Sequence, residues 1–257
     1  MLTLTLAQAQ QKEGRVIYER VSQMQITFSG MNEEMQRMIP KSRTDKFELL
    51  FGNSETLWKS AEPDNEDETL NSDGGGLQVR MVAAGGGDVL YSNLETGKRT
   101  ELREMFDKKY LVDDSIRAMK WKMTGETKTI LNHSCMKATT TRIGKRPQTI
   151  LVDGKTERKE ITDTSLIIAW FASDIPVSTG PAEFQGQLPG LILEMDINNG
   201  RQVFRALEIS PKADLAAIKE PTGKKRYTQD EFRAEREKML GEMQKNNPGG
   251  RNVIRIN

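Results

Sequence analysis

The chain has 257 residues, 36% hydrophobic and 29% charged, which gives room for one large domain or two small ones inside an ordinary soluble surface. Its 38 Lys and Arg stand against 37 Asp and Glu for a net charge of +1, which excludes a general electrostatic pull toward nucleic acid or an anionic membrane. No stretch approaches the roughly 20 apolar residues of a membrane helix, and the single cysteine, Cys135, excludes an intramolecular disulfide.

In chain order, the short apolar run before Ala7-Gln8-Ala9 has the small-x-small pattern of a signal-peptidase site. Residues 1–9 are therefore expected to be the remnant of a cleaved signal peptide, with Gln10 first in the mature chain; the alternative is an edge strand, because Leu2, Leu4 and Leu6 alternate with Thr. Export to the periplasm, or association with the outer membrane, follows from the first reading. No Cys follows the site, so no lipid anchor is expected.

Arg15 to Phe28 alternates as one or two strands. Met31, Met35 and Met38 then share one helical face, closed by Pro40, which predicts a short helical turn. Strands are expected at 47–51, 55–59, 77–83 and 89–92, around an acidic and Gly-rich loop between residues 62 and 76. Hairpin turns are expected at Thr96-Gly97, Ile143-Gly144, Asp153-Gly154 and Asn199-Gly200, where glycine supplies the positive φ of a tight turn. Thr228-Gln229-Asp230-Glu231 is a capping box opening a helix to about Lys245, with Phe232, Met239 and Met243 as its apolar stripe.

Short strands with Gly turns and almost no helix before residue 210 exclude a parallel βαβ fold. The expected architecture is mainly β: a curled antiparallel meander sheet or half-barrel over 10–226, with a short N-terminal helical turn, and a C-terminal α-helix and tail over 227–257.

Residues 166–197 contain Ala169-Trp170-Phe171, then Ile175-Pro176 with Gly180-Pro181, then Leu188-Pro189-Gly190-Leu191-Ile192. Upstream lie Glu126-Thr127-Lys128 and Cys135-Met136-Lys137-Ala138. In order and spacing these blocks resemble the GLPGLI family, over about a third of the chain. Gln187 stands where the first Gly of the family's hexapeptide would be, and Asn132-His133 replaces the usual aromatic pair before the Cys. The resemblance implies an exported bacterial protein of unknown biochemical role and supplies no catalytic residues.

Each proline of this stretch pushes its predecessor to extended backbone and removes a donor, so a rigid, punctuated loop is expected beside a core strand. It serves either as a structural corner or as the lip of a ligand groove. The candidate ligand- or partner-binding residues are Trp170, Ile175, Pro176, Gly180, Pro181, Phe184, Leu188, Pro189 and Gly190.

Other chemistries are thinner. His133 and Cys135 share one strand face, opposite Ser134, but no further ligands are spaced nearby, so the pair reads first as packing. Asp153-Gly154-Lys155-Thr156 lacks the upstream glycine of a phosphate loop, and Glu126 and Lys128 read as surface charges pairing locally or across strands. The chain's 13 Met include Met24, Met31, Met35 and Met38, which pack a core or, in an alternative reading, present soft thioethers to copper.

The expected function is a non-enzymatic envelope protein without a cofactor. It would bind an apolar ligand, a peptide or an outer-membrane protein partner, with no nucleic acid and no span of the membrane. Copper handling through the Met group is the alternative, and an enzyme using Cys135 and His133 ranks last.

Overall fold

The computed structural model describes residues 12–23, 41–61, 68–71, 78–81, 87–105, 108–152 and 155–246; for 68–71, 78–81, 145–161, Leu240 and 243–246 the description stops at the backbone. The first strand among the described residues sits in the middle of the sheet. β1 (Gly14–Gln23) pairs on one side with β2 (Ser42–Gly52), and a meander continues through β3 (Glu55–Ser60), β6 (Val89–Asn93), β7 (Lys98–Met105) and β8 (Lys108–Ser115). On its other side β1 pairs with β13 (Gln202–Ser210), which ends a second meander of β9 (Lys122–Ile130), β10 (His133–Val152), β11 (Lys155–Ala172) and β12 (Leu191–Ile197). With β14 (Arg226–Thr228) added parallel to β8, this makes a twelve-stranded open sheet.

The mainly β expectation therefore holds, in the form of two meanders sealed by one strand pair. Register shifts at Ile17/Tyr18, Trp170/Phe171 and Met136/Ala138 supply bulges, and bulges increase local twist and curl.

Two expectations need correcting. Ile143-Gly144 is not a turn: β10 runs straight through it, with Gly144 opposite Asp163, and the hairpin closes only where Val152 faces Lys155. The region between residues 62 and 76 is not all loop, since β4 (Glu68–Asn71) pairs there with β5 (Gln78–Met81) in a separate two-stranded sheet. Of the strand expected over 77–83, the described residues Gln78–Met81 form β5, and 77, 82 and 83 lie outside the described residues.

The helical turn expected at Met31–Pro40 and the tail beyond Asn246 lie outside the described residues. Other expectations match closely. The Thr96-Gly97 turn joins β6 to β7 with Gly97 at φ +66, and the Asn199-Gly200 turn joins β12 to β13 with Gly200 at φ +83. The capping box is complete: Glu231 N–H donates to Thr228 Oγ1 at 3.2 Å, while Thr228 N–H donates to Glu231 Oε2 at 2.8 Å. It opens α1 (Gln229–Asn246).

Alternation sorts the side chains into two faces. Val16, Tyr18, Leu49, Phe51, Phe171, Met195 and Phe204 are buried together in the main core on one face. On the opposite face Leu50, Leu57 and Tyr91 are covered by Ile218 after a 3₁₀ turn at Leu215–Ala217. At the β8 end Phe232 of α1 packs on Tyr110 and Val112, so helix and β14 together shield that edge.

From Arg142↔Ser165 outward, β10 and β11 run as a ribbon with no third strand on either edge among the described residues. No helix among the described residues is long and apolar enough to cross a membrane.

Candidate functional site

The Pro/Gly loop between β11 and β12 packs onto the main core. Ile175, Phe184 and Leu188 are 1–2% exposed and belong to the main core. Backbone bonds tie the loop to the strand it feeds, from Leu191 N to Ile175 O at 3.1 Å and from Ile192 N to Thr179 O at 2.9 Å.

Buried Gln185 is the hub of the turn: Thr179 Oγ1 donates to its Oε1, and its Nε2 donates to the Gly180 carbonyl at 2.5 Å. Two glycines are fixed by space. A Cβ on Gly190 would sit 2.2 Å from the Ala172 carbonyl oxygen, and one on Gly180 would sit 2.7 Å from Ile192 Cδ1. Gln187 replaces conformational freedom with hydrogen bonds, accepting from Met119 N at 3.0 Å and donating to the Arg117 carbonyl at 3.1 Å.

Of the nine candidates, Ile175, Gly180, Pro181, Phe184, Leu188 and Gly190 are buried, Pro176 and Pro189 are exposed, and Trp170 is half-buried. Trp170, on β11, packs half-buried against the main core, with Lys128 Nζ 4.4 Å and Lys137 Nζ 5.7 Å from its ring centroid. Glu126 and Lys128 pair across strands rather than with each other, Lys137 with Glu126 at 2.9 Å and Lys128 with Glu194 at 2.7 Å.

The loop's tip, Ala182 and Glu183, forms one wall of a cleft of about 940 Å³. The sheet supplies the floor, with Phe47 stacked on Trp58 at 4.9 Å and Leu90 beside them; the start of α1 closes the far side.

Charges of both signs ring that floor. Arg99 Nη2 lies 2.7 Å from Asp114 Oδ2, Arg103 Nη2 lies 2.6 Å from Glu101 Oε2, and Arg142 reaches from the ribbon to Glu183 at 2.9 Å. Arg20 pairs with Asp45 at 2.8 Å while lying over the Phe47 ring. Burial alone would raise the Asp114 carboxyl, but the Ser115 N–H and the guanidiniums of Arg99 and Arg117 hold it below the usual carboxylate range. Asp88 goes the other way: burial pushes its carboxyl up, against one hydrogen bond from the Glu104 N–H at 2.8 Å.

The family model described as "Protein of unknown function (Porph_ging)" matches residues 121–194. That span runs from Trp121 through β9, β10, β11 and the Pro/Gly loop into β12, and it takes in both motif blocks of the sequence. Among solved structures, one described as "Structure of PNGF-II in C2 space group" is similar at 18% identity and a TM-score of 0.49. The alignment covers 87% of this chain and 32% of that one, so the chain spans about a third of that protein's length. No curated protein matches the chain.

The remaining candidates stand apart from the cleft. His133 Nδ1 lies 2.7 Å from Asp174 Oδ2, which staples the start of β10 to the start of the loop. Cys135 is buried, its thiol donates to the His133 carbonyl at 3.5 Å, and burial pushes its pKa up to about 11. A thiol so enclosed is protonated at neutral pH and a poor nucleophile. Among the described residues, no group of three or more His, Cys, Asp or Glu is placed to hold a metal. Met24, Met31, Met35 and Met38 lie outside the described residues.

Sequence reasoning missed the cleft's arginines because they come from separate strands, the ribbon and the helix. One local signal was there to be read: Arg99, Glu101 and Arg103 alternate at the strand period, which puts three charges on one face.

Proposed function

We propose that the chain is an exported envelope protein of the GLPGLI type that acts by binding, and that the cleft takes an extended peptide segment of a protein partner. The observation that carries this reading is the cleft's lining, opposed charges arranged around an aromatic floor. A wholly apolar ligand would desolvate those ion pairs without replacing their hydration, which is costly. A peptide brings backbone donors and acceptors, charged side chains and apolar anchors together, the combination such walls complement. The family-model match supports the GLPGLI assignment, because it spans both motif blocks.

The test is affinity capture of the tagged chain from its native envelope, followed by cross-link mapping. Arg117 is 79% exposed at the cleft rim. A partner cross-linked to the cleft, retained by Arg205→Glu on the outer face and lost in Arg117→Glu, is the expected result. A partner that survives Arg117→Glu and cross-links elsewhere would sink the reading.

A further inference from the structure

Three buried side-chain polar atoms have no hydrogen-bond partner among the described residues: Thr56 Oγ1, Ser92 Oγ and Arg99 Nε. They are not scattered. Thr56 lies directly opposite Ser92 across β3 and β6, and Ser92 lies directly opposite Arg99 across β6 and β7, so the three form one transverse row. Directly opposed residues project from the same face of a sheet, with Cβ atoms about 5 Å apart. Thr56 also shares its face with Trp58, and Ser92 shares its face with Leu90, two residues along each strand. Trp58, Leu90 and Arg99 all line the cleft, so the row continues the cleft floor inward. Thr56 and Ser92 are fully buried there, where the loop at Gly186 comes down on Ile116 and Leu94, two residues beyond Ser92.

The chemistry of the row is one-sided. A guanidinium N–H can only donate, so Arg99 Nε requires an acceptor from outside, and both hydroxyls can donate alongside it. The local charge has the matching sign: Arg99 and Arg117 share the single carboxylate of Asp114, at 2.7 and 3.4 Å, which leaves one positive charge over. We propose that Thr56, Ser92 and Arg99 form a carboxylate-binding site at the inner end of the cleft. One carboxylate oxygen accepts from Arg99 Nε–H and the other from Ser92 Oγ–H, with Thr56 Oγ–H completing the row. The inference rests on the peptide reading of the cleft and names the group the cleft recognises, a chain-terminal or side-chain carboxylate.

The test follows the Arg99 Nε–H resonance of the ¹⁵N-labelled full chain during titration with sodium acetate, balanced with sodium chloride to constant ionic strength, and in parallel with acetamide. A saturable shift with acetate and none with acetamide is expected, weakened at least tenfold in Ser92→Ala. That variant removes an unpartnered buried hydroxyl and is expected to fold with undiminished stability; Thr56→Val is the second, isosteric variant and weakens binding in the same direction. N-acetylglycine and the methylamide of N-acetylaspartate then distinguish a terminal from a side-chain carboxylate, and saturable binding of either supports the site. Equal responses to acetate and acetamide, no response to either, or unchanged acetate binding in both variants would overturn it. A partner captured through Arg117 while acetate leaves Arg99 unmoved overturns the carboxylate site and leaves the peptide reading standing; acetate binding with no partner captured does the reverse.

Discussion

The Tyr18 hydroxyl donates a 2.6 Å hydrogen bond to the carbonyl of Ile192, from the central strand of the sheet to the strand that follows the Pro/Gly loop. Both residues are fully buried, and burial raises the Tyr18 pKa far above its ordinary value. Removing the hydroxyl leaves that buried carbonyl acceptor without this donor. Tyr18→Phe is expected to cost about 1–3 kcal/mol in urea unfolding with an unchanged denaturant slope. A loss below about 0.5 kcal/mol would show that the bond contributes little.

Gly190 and Gly200 make a controlled pair. At Gly190 the obstacle is backbone, since an added Cβ would meet the Ala172 carbonyl oxygen, whereas at Gly200 nothing lies within 4 Å and only the positive φ opposes a side chain. Gly190→Ala is expected to cost about 3 kcal/mol or more, or to prevent folding, and Gly200→Ala only about 1 kcal/mol. Thermal unfolding of the two variants side by side tests the ranking.

Asp88 sets a pH dependence. Its carboxyl is raised above the unfolded value by burial, so the folded state holds the proton more tightly. That contribution to stability is fully present below the unfolded pKa and is lost as pH rises through the folded one. Asp88→Asn keeps an acceptor for the Glu104 N–H and removes the buried charge. The variant is therefore expected to be more stable than the parent at pH 7, by up to about 1 kcal/mol, with the gain vanishing near pH 3. Urea midpoints at the two pH values read this directly, and a gain that persists at pH 3 would assign it to another cause.

Gln187→Gly deletes the clamp on the segment entering β9. Its amide otherwise holds Met119 N and the Arg117 carbonyl. Faster hydrogen exchange at the Met119 amide and a loss of about 1–2 kcal/mol are expected. Unchanged protection at Met119 would show that the segment is held by packing alone.

Strand alternation, the Thr96-Gly97 and Asn199-Gly200 turns and the Thr228/Glu231 capping box were legible because each is set by neighbours in sequence. Gly144 misled for the same reason. It looks like a turn locally, but pairing with Asp163 across the ribbon carries β10 past it, and that partner is distant in sequence. Strand β4 was hidden in a stretch whose charges and glycines resemble a loop. The Pro/Gly loop lies beside a core strand as its prolines and glycines suggest, with Gly190 close to the Ala172 carbonyl and Gly180 close to the Ile192 side chain. The cleft itself was illegible, since Arg20, Arg99, Arg142 and Glu183 meet only after both meanders have curled.

The seam between those meanders also dictates an order of events as the chain is made. Every other pairing of the large sheet in either meander joins strands that are neighbours or near neighbours in sequence, but β1 must wait for β13, with Arg15 meeting Ser210. Until β13 emerges, β1 presents an unpaired edge, the kind of surface on which nascent chains associate wrongly. Long-range closure of this kind slows folding. A chain stopped short of β13 would thus hold two half-sheets with no means of joining them, and the β1 edge stays open until residues 202–210 have been made.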